Sequence, residues 1–166
     1  MGIEKYLWDI YLGGPWERHS PVPFKEKIKA AFPDRRIFDP EQRSAQKIGN
    51  WFDDDCFGIQ HSLTMIAMIP EFPGSAIGDE MGMFYHRNNL RLFSKSAHEA
   101  EELVKNNAGV FQPLEELVII WPESVKPVYA KKFLSHMGYI VENPEAAIVL
   151  LKKVFVKYDK MPREQK

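Results

Sequence analysis

The stretch "SLTMIAMIP", Ser62–Pro70, decides the fold of this chain. Its apolar residues follow one another almost without interruption, and Pro70 ends the run. A continuous apolar strand is typical of a parallel sheet that is covered by helices on both faces. The run is also far too short to span a bilayer. The stretch therefore predicts a central strand of an α/β domain.

Strand and helix patterns alternate on both sides of this strand. Four further strands are predicted at "DIYLGGP", "RRIF", "NLRLFS" and "EELVIIWP". Helices are predicted at "PFKEKIKAAFP", from Asp39 to about Ile59, after the loop "PEFPGS", at "SAHEAEELVKN", at "PVYAKKFLSHM" and at "NPEAAIVLLKKVFVKY". This alternation predicts an α/β fold, a five-stranded parallel sheet with helices on both faces and extra C-terminal helices. We expect one domain over residues 1–158 and a polar tail over 159–166.

Composition limits the kinds of partner. Of 166 residues, 45% are apolar and 27% are charged, which is an ordinary globular composition. A net charge of −1 provides no basic field for a nucleic-acid polymer or a membrane surface, so any nucleotide-like ligand should be small. The single cysteine, Cys56, excludes an intramolecular disulfide, and charge near the N-terminus interrupts any leader-like run. A cytoplasmic location is the expectation.

Glu80 is the first candidate site residue. It lies within the apolar arc of the helix that is predicted after the third strand, whereas Asp79 lies on the opposite side. That arc consists of Ile77, Met81, Phe84 and Tyr85. A carboxylate on a buried arc is costly unless it is paired, hydrogen-bonded or used in function, although a position at the rim would let Glu80 reach water. Parallel sheets bind ligands beyond the C-terminal strand ends, so Glu80 is expected at the ligand edge.

The acidic run "DDD", Asp53–Asp55, is the second candidate feature. Asp55 falls nearest the inward line of its helix, which is expected to bury Ile48, Phe52, Cys56 and Ile59. The run is expected near the end of that helix, where the dipole disfavours negative charge. Such unfavourable choices cluster at functional sites, while a solvated acidic face is the alternative. Two carboxylates suit acid/base and nucleophilic chemistry at an acetal-like carbon, or else a magnesium ion.

Three blocks, "IYLGGP", "DDDCFGI" and "GSAIGDEMG", together resemble the nucleoside 2-deoxyribosyltransferase family and its deoxynucleotide N-hydrolase relatives. The resemblance runs from about Asp9 to Ser94. It implies a flavodoxin-like fold, a homodimer or larger homo-oligomer, and cleavage of the N-glycosidic bond of a 2′-deoxynucleoside or its 5′-monophosphate. It implies neither a cofactor nor a metal, because a carboxylate nucleophile and a protonatable base suffice. Transfer to a second base and hydrolysis both stay open.

The resemblance also assigns roles to individual residues. Glu80 matches the family's nucleophile, Asp55 the aspartate that contacts the leaving base and assists its protonation, and Tyr11 the tyrosine that orients the nucleophile. Gly13 and Gly14 would let the backbone approach the sugar.

Further residues would hold the ends of the substrate. Gln42 stands where family members hold the base with a glutamine, and Ser75 stands about where the nucleotide hydrolases place a phosphate-binding serine. Trp16 could stack on the base or pack within its loop. Arg18, His19 and Ser20 could form a phosphate clamp or an exposed polar loop. The other four histidines lack metal-ligand spacing.

Two rival functions remain open from the sequence. One is a non-catalytic nucleotide-binding module or sensor of the same fold. The other is a magnesium-dependent phosphohydrolase that uses Asp53 and Asp55.

Overall fold

The computed structural model describes residues 6–43, 49–71, 77–88, 113–126 and 130–160. The strands are β1 (Trp8–Gly13), β2 (Ile37–Phe38), β3 (Ser62–Met68), β4 (Leu114–Ile120) and β5 (Gly138–Val141). The helices are α1 (Lys25–Ala31), α2 (Trp51–Gln60), α3 (Ile77–Asn88), α4 (Ala130–Leu134) and α5 (Pro144–Asp159). Two short 3-10 turns span Glu17–His19 and Pro40–Gln42.

The five strands form one parallel sheet in the order β2-β1-β3-β4-β5. This arrangement confirms the predicted α/β, flavodoxin-like fold. The chain passes from β1 outward to β2 and then returns to the other side of β1 with β3, so the direction of winding reverses between β1 and β3. Gly13, the last residue of β1, is in register with Ala67 of β3. In open α/β sheets the ligand crevice lies at this reversal, beyond the C-terminal strand ends.

Helices cover both faces of the sheet. All seven residues of β3 are buried, as the continuous apolar stretch predicted. Side chains alternate along β1, so Ile10 and Leu12 join the core under α1 and α5, whereas Tyr11 joins the core under α2 and α3. The second core therefore packs directly beneath the helices that carry Asp55 and Glu80.

The predicted set of strands is incomplete. The strand predicted at "NLRLFS" and the helix predicted at "SAHEAEELVKN" lie outside the described residues. Gly138–Val141, to which no strand was assigned between the two predicted C-terminal helices, is the edge strand β5. Four residues are too few to show a strand period. Gly138 is needed at the start of β5 because a Cβ there would collide with the Leu117 carbonyl of β4.

The terminal helix α5 begins as the sequence predicted. Asn143 accepts a hydrogen bond from the backbone N–H of Ala146 at 2.9 Å, and Pro144 occupies the first helical position. The division into one domain over residues 1–158 and a tail over 159–166 stays a prediction.

The helix predicted to start at Asp39 is wrong. Asp39 does accept a hydrogen bond from the N–H of Glu41, but the resulting 3-10 turn ends at Gln42. A separate helix, α2, begins at Trp51, after Gly49 with a φ of +89°. The acidic run therefore lies at the start of its helix, where the dipole favours negative charge.

The inward face of α2 also differs from the predicted one. Phe52, which we expected to be buried, is 59% exposed, while Asp55, Gly58 and Ile59 are buried. Within the described ranges, no helix has the length and apolarity needed to cross a membrane.

Candidate active site

Glu80 lies in the first turn of α3 and its carboxylate reaches the end of β1. A Cβ built on Gly13 would lie 2.7 Å from Oε2 of Glu80, 2.7 Å from Cε of Met65 and 2.9 Å from Cδ1 of Ile77. The close approach of α3 to β1 is thus possible only because residue 13 has no side chain. Glu80 is partly buried, with Ile77, Met81 and Phe84 buried around it as the helical period predicted.

Gly14 makes the turn that leads out of β1. Its φ of +122° is rarely adopted by residues with a side chain, and a Cβ there would lie 2.7 Å from the carbonyl oxygen of Met68. The two glycines therefore serve the backbone in different ways. Gly13 makes room for Glu80, and Gly14 turns the chain across the end of β3. Their predicted approach to a sugar stays a prediction.

Tyr11 lies on the same side of β1 as Gly13 and is completely buried. Its ring stacks on Phe38 of β2 with the centroids 5.4 Å apart. Neither the Tyr11 hydroxyl nor Oε2 of Glu80 has a hydrogen bond of good geometry among the described residues, although both atoms are buried. Burial and then the charge of Glu80 raise the pKa of Tyr11, so its hydroxyl stays protonated. Tyr11 can therefore act only as a neutral donor toward a carboxylate.

Asp55 comes to the same place from α2, and its side chain is buried. Gly58 allows this helix to lie close to the sheet, because a Cβ at residue 58 would be 2.6 Å from the Phe38 ring. The charge of Asp55 raises the pKa values of both Glu80 and Tyr11. The structure thus brings together the three residues that were predicted to be catalytic.

Glu80 titrates near neutral pH in this environment. Burial, and after it the nearby charge of Asp55, raises the pKa of Glu80 from its ordinary value of 4.5 to about 7. Lys25, the Tyr11 hydroxyl and the Gly14 amide act in the opposite direction and lower this pKa. A carboxyl group that is half ionised near pH 7 can serve either as a nucleophile or as an acid and base.

Cys56 adjoins this group of acids. Its thiol is partly buried, and burial together with the charges of Asp53 and Asp55 raises its pKa. The thiol therefore stays protonated and does not compete with Glu80 as a nucleophile.

The loop after β1 carries Trp16 and Arg18, both exposed. The Arg18 guanidinium lies 4.9 Å from the centre of the Trp16 ring, so the two residues stack on each other. Ser20 donates its hydroxyl hydrogen to the carbonyl of Val22 at 2.6 Å. Base stacking by Trp16 and phosphate binding by Arg18 stay predictions, and Ser75 lies outside the described residues.

Gln42 lies at the end of the 3-10 turn after β2 and is exposed. The neighbouring Glu41 ties this turn to the loop after β1, because its carboxylate accepts the backbone N–H of Glu17 at 2.8 Å. The residues predicted to bind the two ends of a substrate thus come from two turns that are joined to each other.

Lys25 is a charged residue that the sequence interpretation missed. Its side chain is only 2% exposed, and its ammonium group lies 3.0 Å from Asp39 and 3.1 Å from Glu41. Lysine is almost never fully buried unless it is paired, and "FKEKIK" reads as an ordinary amphipathic pattern. Its pairing with Asp39 and Glu41, which are far along the chain, left no local signal.

The other two aspartates of the acidic run have different fates. Asp54 forms a two-pronged ion pair with Arg43 at 2.8 and 3.0 Å, and Asp53 is exposed. Among the described residues, no group of three or more His, Cys, Asp or Glu side chains could hold a metal ion. The run is therefore divided between an ion pair, solvent and the site.

Comparisons of the chain with protein-family models, with curated proteins and with solved structures found no match.

Proposed function

We propose that this protein cleaves the N-glycosidic bond of a small 2′-deoxynucleoside or its 5′-monophosphate. One observation carries the proposal. The carboxyl groups of Glu80 and Asp55, which come from different helices, interact electrostatically beside the buried Tyr11 hydroxyl. They lie where the winding of the sheet reverses between β1 and β3. The pKa of about 7 for Glu80 adds support, because catalytic carboxyl groups are commonly shifted toward the working pH. The local sequence resemblance supplies the substrate class.

The proposed reaction has two steps. In the first, ionised Glu80 attacks C1′ of the sugar, the C1′–N bond breaks, and the Asp55 carboxyl group, in its protonated form, gives its proton to the departing base nitrogen. In the second, water or another base attacks C1′ and releases the Glu80 carboxylate. In both cases the attacking water or base gives up a proton to the Asp55 carboxylate, which restores the protonated Asp55 of the first step. The Tyr11 hydroxyl, a neutral donor beside Glu80, lowers the pKa of Glu80 and so favours its ionised form.

The raised pKa of Glu80 also supports an exchange of roles. A carboxyl group held partly protonated at neutral pH is what a general acid requires, which would leave Asp55 as the nucleophile. A 2′-fluoro-substituted nucleoside distinguishes the two assignments, because the fluorine slows breakdown of the covalent intermediate. Peptide mass spectrometry should find the added sugar on Glu80, and a sugar on Asp55 would reverse the roles.

The main test is the release of free base from the four common 2′-deoxynucleosides and their 5′-monophosphates. We expect release from at least one of these compounds, and adding a second base distinguishes transfer from hydrolysis. Glu80→Gln should abolish release, since an amide cannot form the ester intermediate. The matched control is Asp79→Asn, which changes the exposed neighbour on the same helix turn and should retain activity.

The non-catalytic alternative predicts a different result with the same compounds. A binding module would be stabilised against heat by a nucleotide without releasing any base. The magnesium phosphohydrolase, which would use Asp53 and Asp55, is less favoured, because Asp53 is exposed on α2 whereas Asp55 is buried beside Glu80. It would release phosphate and stop on addition of EDTA.

The proposal includes a homodimer or larger homo-oligomer. Helix α2 exposes three aromatic side chains, those of Trp51, Phe52 and Phe57. A cluster of exposed apolar side chains of this kind is typical of a protein–protein interface. Sedimentation velocity should show a species larger than 19.3 kDa. A strictly monomeric protein at micromolar concentration would contradict this part of the proposal.

A further inference from the structure

A set of charged groups beside the candidate active site has no role in the reaction as proposed. Glu17 lies in the loop after β1, Lys25 opens α1, and Glu41 lies in the turn after β2. We refer to these three residues as the Glu17–Lys25–Glu41 clamp. They lie far apart in the chain, and yet each of them is hydrogen-bonded to the other two.

Three hydrogen bonds join the residues of the clamp to one another. Oε2 of Glu41 accepts hydrogen bonds from the backbone N–H of Glu17 at 2.8 Å and from Nζ of Lys25 at 3.1 Å. Oε2 of Glu17 in turn accepts the backbone N–H of Lys25 at 3.0 Å. Each bond involves a charged group, and such bonds are stronger than neutral ones. The clamp therefore ties the β1 loop to both α1 and the turn after β2.

Two further ion pairs anchor the clamp to the sheet. Lys25 Nζ lies 3.0 Å from Oδ1 of Asp39, the residue that follows β2, and Lys29 Nζ lies 2.7 Å from Oδ2 of the same residue. Because Asp39 is only 5% exposed, little water screens these pairs. Both ion pairs thus lie at the C-terminal edge of the sheet, where Asp39 follows β2.

A gain in stability alone does not explain this arrangement. Burying a lysine and an aspartate carries a desolvation cost that often equals or exceeds the attraction between them. Oε1 of Glu17 is also buried without a hydrogen-bond partner among the described residues, which adds a further cost. Buried ionic groups are in some proteins retained because they fix one geometry.

The geometry that the clamp fixes includes the predicted substrate-binding residues. Trp16 and Arg18 flank Glu17, and Gln42 follows Glu41. The loop begins at Gly14. The Gly14 amide and the positive charge of Lys25 both lower the pKa of Glu80. The clamp therefore adjoins the residues proposed to hold the base and the phosphate, and one of its members, Lys25, acts on the proposed catalytic acid.

We propose that the Glu17–Lys25–Glu41 clamp is a positioning unit that holds the Trp16–Arg18 loop against the Gln42 turn, so that the substrate-binding side of the site is assembled before substrate arrives. The inference rests on the proposed function for its kinetic part only. A preassembled site binds substrate without first paying to order a loop, so loosening the clamp should weaken binding and leave the chemical step unchanged.

Hydrogen exchange tests the clamp without reference to activity. In Glu41→Ala the amide of Glu17 loses its acceptor, and we expect peptides from residues 14–24 to exchange about tenfold faster while α5 exchanges as before. Glu41→Gln keeps an acceptor oxygen and should restore most of the protection. Glu145→Ala is the matched control, because it removes an exposed ion pair, with Lys27, that lies outside the clamp.

Glu17→Ala is a second variant for the same exchange measurement, to be used if Glu41→Ala does not fold. It frees the Lys25 amide but leaves the buried ammonium with both Asp39 and Glu41. The same loosening of residues 14–24 is expected. Wild-type exchange in a folded clamp variant would overturn the proposal.

The kinetic arm uses whichever of the eight deoxynucleosides and 5′-monophosphates the wild type cleaves best. In the clamp variants KM should rise about tenfold while kcat stays within about twofold. A fall in kcat with an unchanged KM would overturn the positioning role. If the wild type releases no base from any of the eight compounds, the proposed function fails, and the exchange measurement alone then decides the clamp.

Discussion

Oε2 of Glu80 lies where a Cβ on Gly13 would come within 2.7 Å of it. The strand and the helix are therefore matched to each other at this point, because the carboxylate fills the space that any side chain on residue 13 would need. The position of the proposed nucleophile depends on the absence of a single methyl group from β1.

Gly13→Ala should displace the Glu80 side chain. The added methyl also meets Met65 and Ile77, so relief requires movement of the core and not only of one flexible carboxylate. We expect base release to fall by about a hundredfold or more, since small misplacements of reacting groups have effects of that order. Overpacking should also lower the free energy of unfolding by about 1–3 kcal/mol. Steady-state assays and urea unfolding measure the two effects.

Gly82→Ala is the control for this substitution. It lies in the same helix as Glu80, and a Cβ there meets nothing within 4 Å. The change should stabilise the protein by about 0.5–1 kcal/mol through helix propensity and leave base release intact. Equal activity in the two alanine variants would contradict the role given to Gly13.

Glu80 should make stability fall as pH rises. Its pKa is 4.5 when unshifted and about 7 in the folded protein, so between these two values the folded state holds a proton that the unfolded state has lost. The free energy of unfolding therefore decreases over that interval, by about 3 kcal/mol at most for this group. Glu80→Gln should remove this contribution, so the variant gains stability over the wild type between pH 5 and about pH 8, as urea unfolding at several pH values can measure.

The comparison of two variants isolates Glu80 from the other carboxyl groups. Asp79→Asn should follow the wild-type pH dependence because its side chain faces solvent. A difference between wild type and Glu80→Gln that does not change with pH would show that Glu80 titrates normally.

Asp55→Asn should move the pH profile of base release. The charge of Asp55 raises the pKa of Glu80, so its removal lowers that pKa and shifts the acidic limb of kcat/KM to lower pH. The rate at the optimum should also fall, by about a hundredfold or more, because proton delivery to the base is lost. Asp53→Asn, an exposed member of the same run, should change neither quantity. If the acidic limb of the kcat/KM profile does not shift in Asp55→Asn, the two carboxyl groups do not interact electrostatically.

Tyr11→Phe should move the same limb in the opposite direction. The Tyr11 hydroxyl lowers the pKa of Glu80, so its loss raises that pKa and shifts the limb to higher pH. Stability should change by no more than about 1 kcal/mol, because the hydroxyl has no well-formed hydrogen bond to lose. Tyr139→Phe on the exposed edge strand is the control. A large loss of stability in Tyr11→Phe would show that the hydroxyl is instead a structural hydrogen-bonding group.

Much of the fold was predictable because a strand that is buried on both faces of the sheet has a continuous apolar sequence. The apolar run of β3 and the Asn143-Pro144 start of α5 are local signals, and both were confirmed. The edge strand Gly138–Val141 carries no such signal, because four residues with one glycine fit a loop equally well. The start of α2 at Trp51 was missed because the Asp39-Pro40 cap initiates only a 3-10 turn.

The candidate site was predictable only where helical spacing carried the information. Glu80 could be placed among Ile77, Met81 and Phe84 by period alone. Asp55 was placed correctly as the inward member of its run, although the run was assigned to the wrong end of its helix. Lys25 and Glu41 meet only through the three-dimensional path of the chain, so no spacing rule relates them.

The Tyr11 hydroxyl and Oε2 of Glu80 are both buried without a hydrogen bond among the described residues, and this lowers the stability of the protein. Redesign that rewards melting temperature alone would favour phenylalanine at one position and an amide at the other, since both changes relieve a desolvated oxygen. Thermostable variants selected in this way would keep the fold and lose the proposed reaction. Libraries built from it should hold these two positions constant while the remainder of the sequence is varied.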